Sequence, residues 1–280
     1  MSLDSTNVIK DTLAQTKGGE SGSDWIMHHI LDGNYLDFSP LGKIYLPHLE
    51  LFGIDISITR HVVFLWIVAI LTFIVFRKVA KAYQKESVPR GMTNFFEVFI
   101  VFVRDEIAAP NIGKGYEKFL PYLLTTFFFI LFGNFLGLIP FSATITSNIS
   151  ITAVLAIFSF FAVQIGGIRK NGFWGYFKGL IPHGVPGFIL PIMGIVEILG
   201  LFTKPFALAI RLFANMTAGH IVIYALISLI FVMQSIFISP VSVGMALFIY
   251  FLEILVALLQ AYIFTMLSSL FIGMAVHQDH

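Results

Sequence analysis

Residues Ile198–Met233 read ILGLFTKPFALAIRLFANMTAGHIVIYALISLIFVM. The run is apolar for longer than a soluble core helix needs, since about 20 such residues already cross a bilayer. Near its middle stands Arg211. An arginine keeps its proton at any accessible pH. At the centre of a membrane it is therefore a fixed positive charge, costing about 2.5–3.5 kcal/mol on insertion scales. A charge held there at that cost points to function.

The rest of the composition agrees with a membrane setting. Of 280 residues 57% are hydrophobic and 12% charged, with mean hydropathy +0.88. Soluble domains are roughly 25% charged. The 31 phenylalanines suit lipid-facing and helix-packing surfaces. With no cysteine, disulfides, thiolate metal sites and cysteine nucleophiles are excluded. A net charge of +1 argues against nucleic-acid binding. Residues 1–23 are polar, without the apolar core of a secretory signal or the Arg-rich character of a transit peptide. They read as a tail.

Asp24–Leu31 reads as a short interfacial helix, with Trp25 at headgroup level. His28 and His29 within it are adjacent, face different ways and lack a third ligand, so no metal site is expected. Residues 1–60 as a whole form an extracytoplasmic segment, and 61–280 one multi-helix membrane domain. The first span is about 61–80. Its apolar run ends at Phe76, and Arg77, Lys78, Lys81, Lys85 and Arg90 come after it, which marks a cytoplasmic side. Residues 92–109 are too polar for a span, with Glu97, Arg104, Asp105 and Glu106, and read as an amphipathic or re-entrant cytoplasmic-side segment. Further spans fall at about 119–139 and 149–168, the latter ending in Arg169 and Lys170, again a cytoplasmic signature. Two apolar segments then follow, about 188–233 and 242–276, joined near Gln234–Pro240. Neither contains a hydrophilic break. Each is expected as one helix, roughly 50–65 Å long at 1.5 Å per residue, crossing a core of about 30 Å at a steep tilt as an antiparallel hairpin. The expected fold class is thus an all-α polytopic membrane protein with about five crossings, N-terminus outside and C-terminus cytoplasmic.

Polar residues inside the hairpin form a pattern. Glu197, Lys204 and Arg211 are spaced by seven and share a helix face, which Asn215, four beyond Arg211, joins. His220 lies nine past Arg211, half a turn away. On the second segment Glu253 and Gln260 are again seven apart. Folding the hairpin sets Arg211 level with Gln260 and His220 level with Glu253, and both pairings put the turn near residue 236. Two polar zones result at different depths, with a permanent cation between them. A histidine and a carboxylate can pass protons; Arg211 cannot. A lone Asn or Gln in a membrane is ordinarily packing glue. Lys204 reads as snorkelling to the interface, and Glu197 as either its ion-pair partner or a channel carboxylate.

The string Thr203–His220, TKPFALAIRLFANMTAGH, closely resembles the signature around the essential arginine of the a subunit of F-type ATP synthases. Glu253–Leu267 resembles the last helix of that family. Asn134 within Gly133–Pro140, and Asp24–Leu31, also match family positions. The resemblance implies a stator subunit that carries protons past a rotating ring of small hairpin c subunits bearing a membrane carboxylate. Its further partners would be the peripheral-stalk b subunits and the rest of the complex. It implies a bacterial plasma (inner) membrane, no cofactor, no metal and no catalysis by this chain, the ATP chemistry residing on other subunits. Arg211 matches the arginine facing the ring carboxylate, and Asn215 and Gln260 match residues near it. His220 and Glu253 match the outer half-channel, and Glu197 matches the cytoplasmic one. Many bacterial members carry Glu nine residues after the arginine and His seven before the glutamine; here the two are exchanged, which keeps one imidazole and one carboxylate. Gly137 stands where some relatives have an acidic residue.

The rival reading is a secondary transporter whose midplane Arg211 binds an anionic substrate. It calls for inverted repeats and paired broken helices, and the sequence displays neither. A purely structural scaffold leaves Arg211 and the shared register unexplained.

Overall fold

In the computed structural model, apolar length has become helix almost throughout. The structure describes residues 33, 35–37, 43–47, 50–51, 54–55, 57–84, 91–139, 142–179, 190–233 and 239–278. The tail 1–23, the Asp24–Leu31 segment with His28 and His29, most of the Pro-rich stretch 182–191 and the turn after Met233 lie outside them. Ahead of the helices come two small antiparallel hairpins. β1 (Tyr35–Asp37) pairs with β2 (Lys43–Tyr45), and β3 (Glu50–Leu51) with β4 (Ile54–Asp55). Gly33 accepts a backbone bond from Arg60 at 3.0 Å, which ties this region to the first helix.

The helices are α1 (Arg60–Tyr83), α2 (Met92–Phe102), α3 (Ala109–Ile112), α4 (Leu120–Gly137), α5 (Ile149–Asn171), α6 (Phe173–Gly179), α7 (Leu190–Met233) and α8 (Ser239–Val276). Five of them, α1, α4, α5, α7 and α8, are long and apolar enough to cross a membrane. The chain is an all-α polytopic membrane protein. α5 starts on an Asn148 cap, whose Oδ1 accepts from the Ser150 amide at 2.9 Å, and stops at Gly172 with φ +74°.

The segment after α1 is one bent rod. α2 runs through a π-helical stretch, Val103–Ala108, into α3. Its polar side carries Arg104, which donates from Nε and Nη2 to Asp105 at 2.7 and 2.9 Å; that guanidinium holds the Asp105 carboxyl below the usual carboxylate range. Its apolar side, Val103, Ile107, Ala108 and Ile112, is wholly buried. Phe95, Phe96 and Phe99 join Phe76, Phe128 and Phe132 in an edge-to-face cluster. Ser269 of α8 donates to the Ile107 carbonyl at 3.0 Å, anchoring the rod to the bundle.

α7 and α8 span 44 and 38 residues without interruption, about 66 and 57 Å at 1.5 Å per residue. Pro205 sits inside α7; it has no N–H to give the Leu201 carbonyl. Helix ends show the strands of the bundle alternating in direction. Asn171 at the end of α5 donates to the Ala275 carbonyl of α8 at 3.0 Å, and Gln278 donates to the Tyr176 carbonyl at 3.2 Å. Gly273 of α8 meets the backbone of Asn111 beyond α2. Arg169, Lys170, Lys178, Lys114 and Lys118 therefore belong to one end of the molecule. His61, in the first turn of α1, approaches Ser147 at the opposite end.

Candidate functional site

The hairpin register brings the sequence-predicted residues to three levels along α7. At the level furthest from the basic end, His220 Nδ1 lies 3.7 Å from Glu253 Oε1. Glu253 is 4% exposed, and among the described residues neither of its carboxylate oxygens accepts a hydrogen bond. Gly219 makes room for it, because a Cβ there would overlap the Glu253 carboxylate. The Tyr224 ring stacks on His220 at 6.4 Å between centroids. On its other nitrogen, Nε2, His220 meets the Thr144 hydroxyl at 2.5 Å.

Thr144 belongs to a turn between α4 and α5 that the polar pattern did not reveal. Thr146 in the same turn donates to Asn134 Oδ1 at 2.5 Å, and the Asn134 amide donates to the Ala257 carbonyl at 3.3 Å. Asn134 is fully buried. Tyr250 of α8 donates to the Leu138 carbonyl at 3.0 Å, fixing the end of α4. Threonine hydroxyls in a membrane protein carry no periodic signal, so only the tertiary structure identifies this group.

At the middle level Asn215 donates to Gln260 Oε1 at 2.9 Å. Gln260's partner is therefore Asn215, one turn beyond the Arg211 predicted from the register. The two helices cross at an angle, and facing positions recur only every three or four residues. Arg211 itself is exposed, in a stripe with Ala207, Ala214 and Ala218. No ion pair or hydrogen bond engages it among the described residues. On the opposite side of α7 Leu208, Leu212 and Met216 are buried.

At the basic end lies a cavity of about 310 Å³ whose walls include Glu197, Lys204, Gln164, Ser159, His277 and Gln278. Leu201 and Pro205 also line it. Glu197 and Lys204 share this face as the sequence spacing predicts. No ion pair links them among the described residues; Lys204 Nζ lies instead over the Phe271 ring, 5.5 Å from its centroid. Arg211 does not share the cavity. A seven-residue spacing slips by about 20° per step on a straight helix, and by Arg211 the row has turned onto the open face. Gln164 and His277 were not anticipated, being single polar residues at the ends of apolar runs.

Comparison with known proteins follows the same lines. The sequence profile of the family "ATP synthase A chain" matches residues 62–273. The chain is 55% identical over 258 residues to the ATP synthase subunit a of Chloroherpeton thalassium, covering 91% of this chain and 77% of that protein. It is 51% identical over 268 residues to the ATP synthase subunit a 2 of Chlorobaculum tepidum, covering 94% and 76%. To the ATP synthase subunit a of Anaeromyxobacter sp. it is 47% identical over 305 aligned positions, covering 94% and 74%. With the profile and these relatives in agreement over nearly the whole chain, this multi-pass bacterial membrane protein belongs to the ATP synthase A chain family, the subunit a of F-type ATP synthases.

Proposed function

We propose that this chain is the proton-translocating stator subunit of an F-type ATP synthase, with two offset half-channels separated by Arg211. One observation carries the reading. A buried histidine–carboxylate pair and a polar cavity with its own carboxylate lie at different levels of a single helix, and between them an arginine without a partner among the described residues stands on an exposed face. Arg211 is about 13 Å along α7 from His220 and about 21 Å from Glu197.

The basic end of the bundle is cytoplasmic by the positive-inside rule. That puts His220 and Glu253 toward the outside, Glu197 toward the cytoplasm, the N-terminus outside and the C-terminus inside. Residues 61–280 act as one membrane domain, with 1–60 outside it. Protons reach Glu253 through the His220 zone and pass to a carboxylate on a ring of small c subunits. After rotation they leave by the Glu197 cavity. Each proton crossing yields about 2.3 kcal/mol per 100 mV of membrane potential. Arg211 favours the ionised form of the ring carboxylate and, having no proton to release, blocks a direct leak. Asn215 and Gln260 hold one another beside it. The stripe of Ala207, Ala214 and Ala218 lets a second helix approach closely. The ATP chemistry lies on other subunits, and peripheral-stalk b subunits hold this one still.

A secondary transporter would build its site from discontinuous helices, whereas α7 and α8 are each unbroken. The deciding experiment is Arg211→Ala in the assembled complex. ATP-driven acidification of inverted vesicles is expected to vanish, and acidification at the parental rate would refute the reading.

A further inference from the structure

Among the described residues two polar side chains approach the His220 ring nitrogens, and they constrain them differently. Nδ1 faces the Glu253 carboxylate at 3.7 Å, and Nε2 meets the Thr144 hydroxyl at 2.5 Å. A neutral imidazole carries one proton, and the group on one nitrogen decides which nitrogen holds it. An ionised carboxylate only accepts. With Glu253 ionised, the ring proton therefore sits on Nδ1, and Nε2 presents its lone pair to a hydroxyl that can donate. We propose that Thr144 is a positioning residue that holds the His220 ring and its proton toward Glu253. The proposal rests on the reading of His220 and Glu253 as the outer proton pair.

The hydroxyl also suits the next state. A proton taken up at Nε2 makes the imidazolium. Its Nδ1 proton then moves to Glu253 Oε1, giving the neutral acid and a neutral imidazole with its proton on Nε2. In that state the Thr144 oxygen accepts, after a rotation about its C–O bond. An apolar side chain of the same shape offers neither contact.

Two further features place Thr144 where it is. The first is space. A Cβ at Gly137 would come within 2.6 Å of Thr144 Cβ and 2.7 Å of its Cα, so the threonine occupies the volume that any side chain at Gly137 would claim. The second is restraint on the turn. Ser147 donates to the Thr144 carbonyl at 2.7 Å and lies 3.5 Å from His61 Nε2 of α1. Thr146 is held by Asn134 of α4. Thr144 is 4% exposed. Two helices, α1 and α4, thus fix the backbone that aims one hydroxyl at His220.

The test uses the whole ATP synthase in inverted membrane vesicles, with the amount of assembled complex measured for each variant. Thr144→Val preserves shape and removes the hydroxyl; Thr144→Ala is the second variant should the valine impair assembly. Loss of one buried hydrogen bond is expected to slow ATP-driven proton pumping about five- to tenfold per complex, while Thr144→Ser stays within about twofold. Since Thr144 acts through the imidazole, Thr144→Val should add nothing in a His220→Gln background. Equal losses in Thr144→Val and Thr144→Ser, or none in either hydroxyl-free variant, would overturn the proposal. That comparison decides even where His220→Gln pumps too slowly to serve as a background. If His220→Gln pumps at the parental rate, the outer-pair reading itself fails; if it is impaired and Thr144→Val is not, only the role of Thr144 falls.

Discussion

Gly219 is the point at which one added methyl group should separate the two members of the outer pair. A Cβ on this residue would lie 2.8 Å from both Cγ and Cδ of Glu253 and overlap Oε1 outright. Ordinary contact begins near 3.4 Å, so the side chain must withdraw by at least about 0.6 Å. His220 Nδ1 and Glu253 Oε1 are already 3.7 Å apart, and the withdrawal carries them beyond ion-pair range. Overpacking of this kind costs about 1–3 kcal/mol, and misplacing reacting groups by about 1 Å costs up to about a hundredfold in rate. Gly219→Ala is therefore expected to lower ATP-driven proton pumping by ten- to a hundredfold, to order of magnitude, with the complex still assembled. Glu253→Asp in the same chain removes a methylene and draws the carboxylate back toward α8. The double variant should pump faster than Gly219→Ala alone. Pumping at the parental rate by Gly219→Ala would refute the geometry. A double variant slower than the single one would show that the defect is not steric crowding of Glu253.

Two further predictions concern stability. Gly273→Ala drives a Cβ into the Asn111 carbonyl group, whose carbon would lie at 2.9 Å; backbone cannot rotate away, so α3 and α8 must part. A drop in the thermal midpoint of the purified complex is expected, against no loss for Gly194→Ala, where a Cβ meets nothing within 4 Å. Asn134→Leu strips the Thr146 hydroxyl of its acceptor in a fully buried site, costing about 1–3 kcal/mol, read as a lower thermal midpoint that Asn134→Gln does not repair, its amide being one methylene too long.

Much of this was legible because it depends on length and period. Five apolar runs long enough to cross a bilayer yield five helices of spanning length, and the absence of any hydrophilic break in the last two yields two unbroken rods. The pairing of His220 with Glu253 follows from hairpin register alone. Gln260 shows where that arithmetic drifts. From Glu253 it lies seven residues along α8, but its partner Asn215 lies only five from His220 along α7, as expected of helices that cross rather than run parallel. The β-hairpins before α1 are two and three residues per strand, too short to leave an alternating pattern. Thr144 and Thr146 were invisible for a different reason. Their turn between spans folds back onto the bundle, where Thr144 meets His220 of α7 over 76 residues of sequence and Thr146 meets Asn134 of α4, and nothing local encodes either contact.

If the two polar zones are the proposed half-channels, the residues flanking Arg211 explain how a single charge separates them. Protons could leak from the His220 level to the Glu197 cavity by two routes, through the interior of the bundle or along its open face. The interior route meets Leu208, Leu212 and Met216, which are buried at 2%, 0% and 0% exposure and offer no hydrogen-bonding group to a proton. The open face is different, for there Arg211 stands in a stripe of alanines too short to fold over it. A cation on that face repels a hydrated proton and cannot relay one. On the proposed reading the seal combines packed hydrocarbon at Leu208, Leu212 and Met216 with a fixed charge on the open face of α7. The charged half becomes complete only when a partner closes the open face. An arginine exposed to lipid would have no such use, so the proposed reading requires an acid from another chain brought against it.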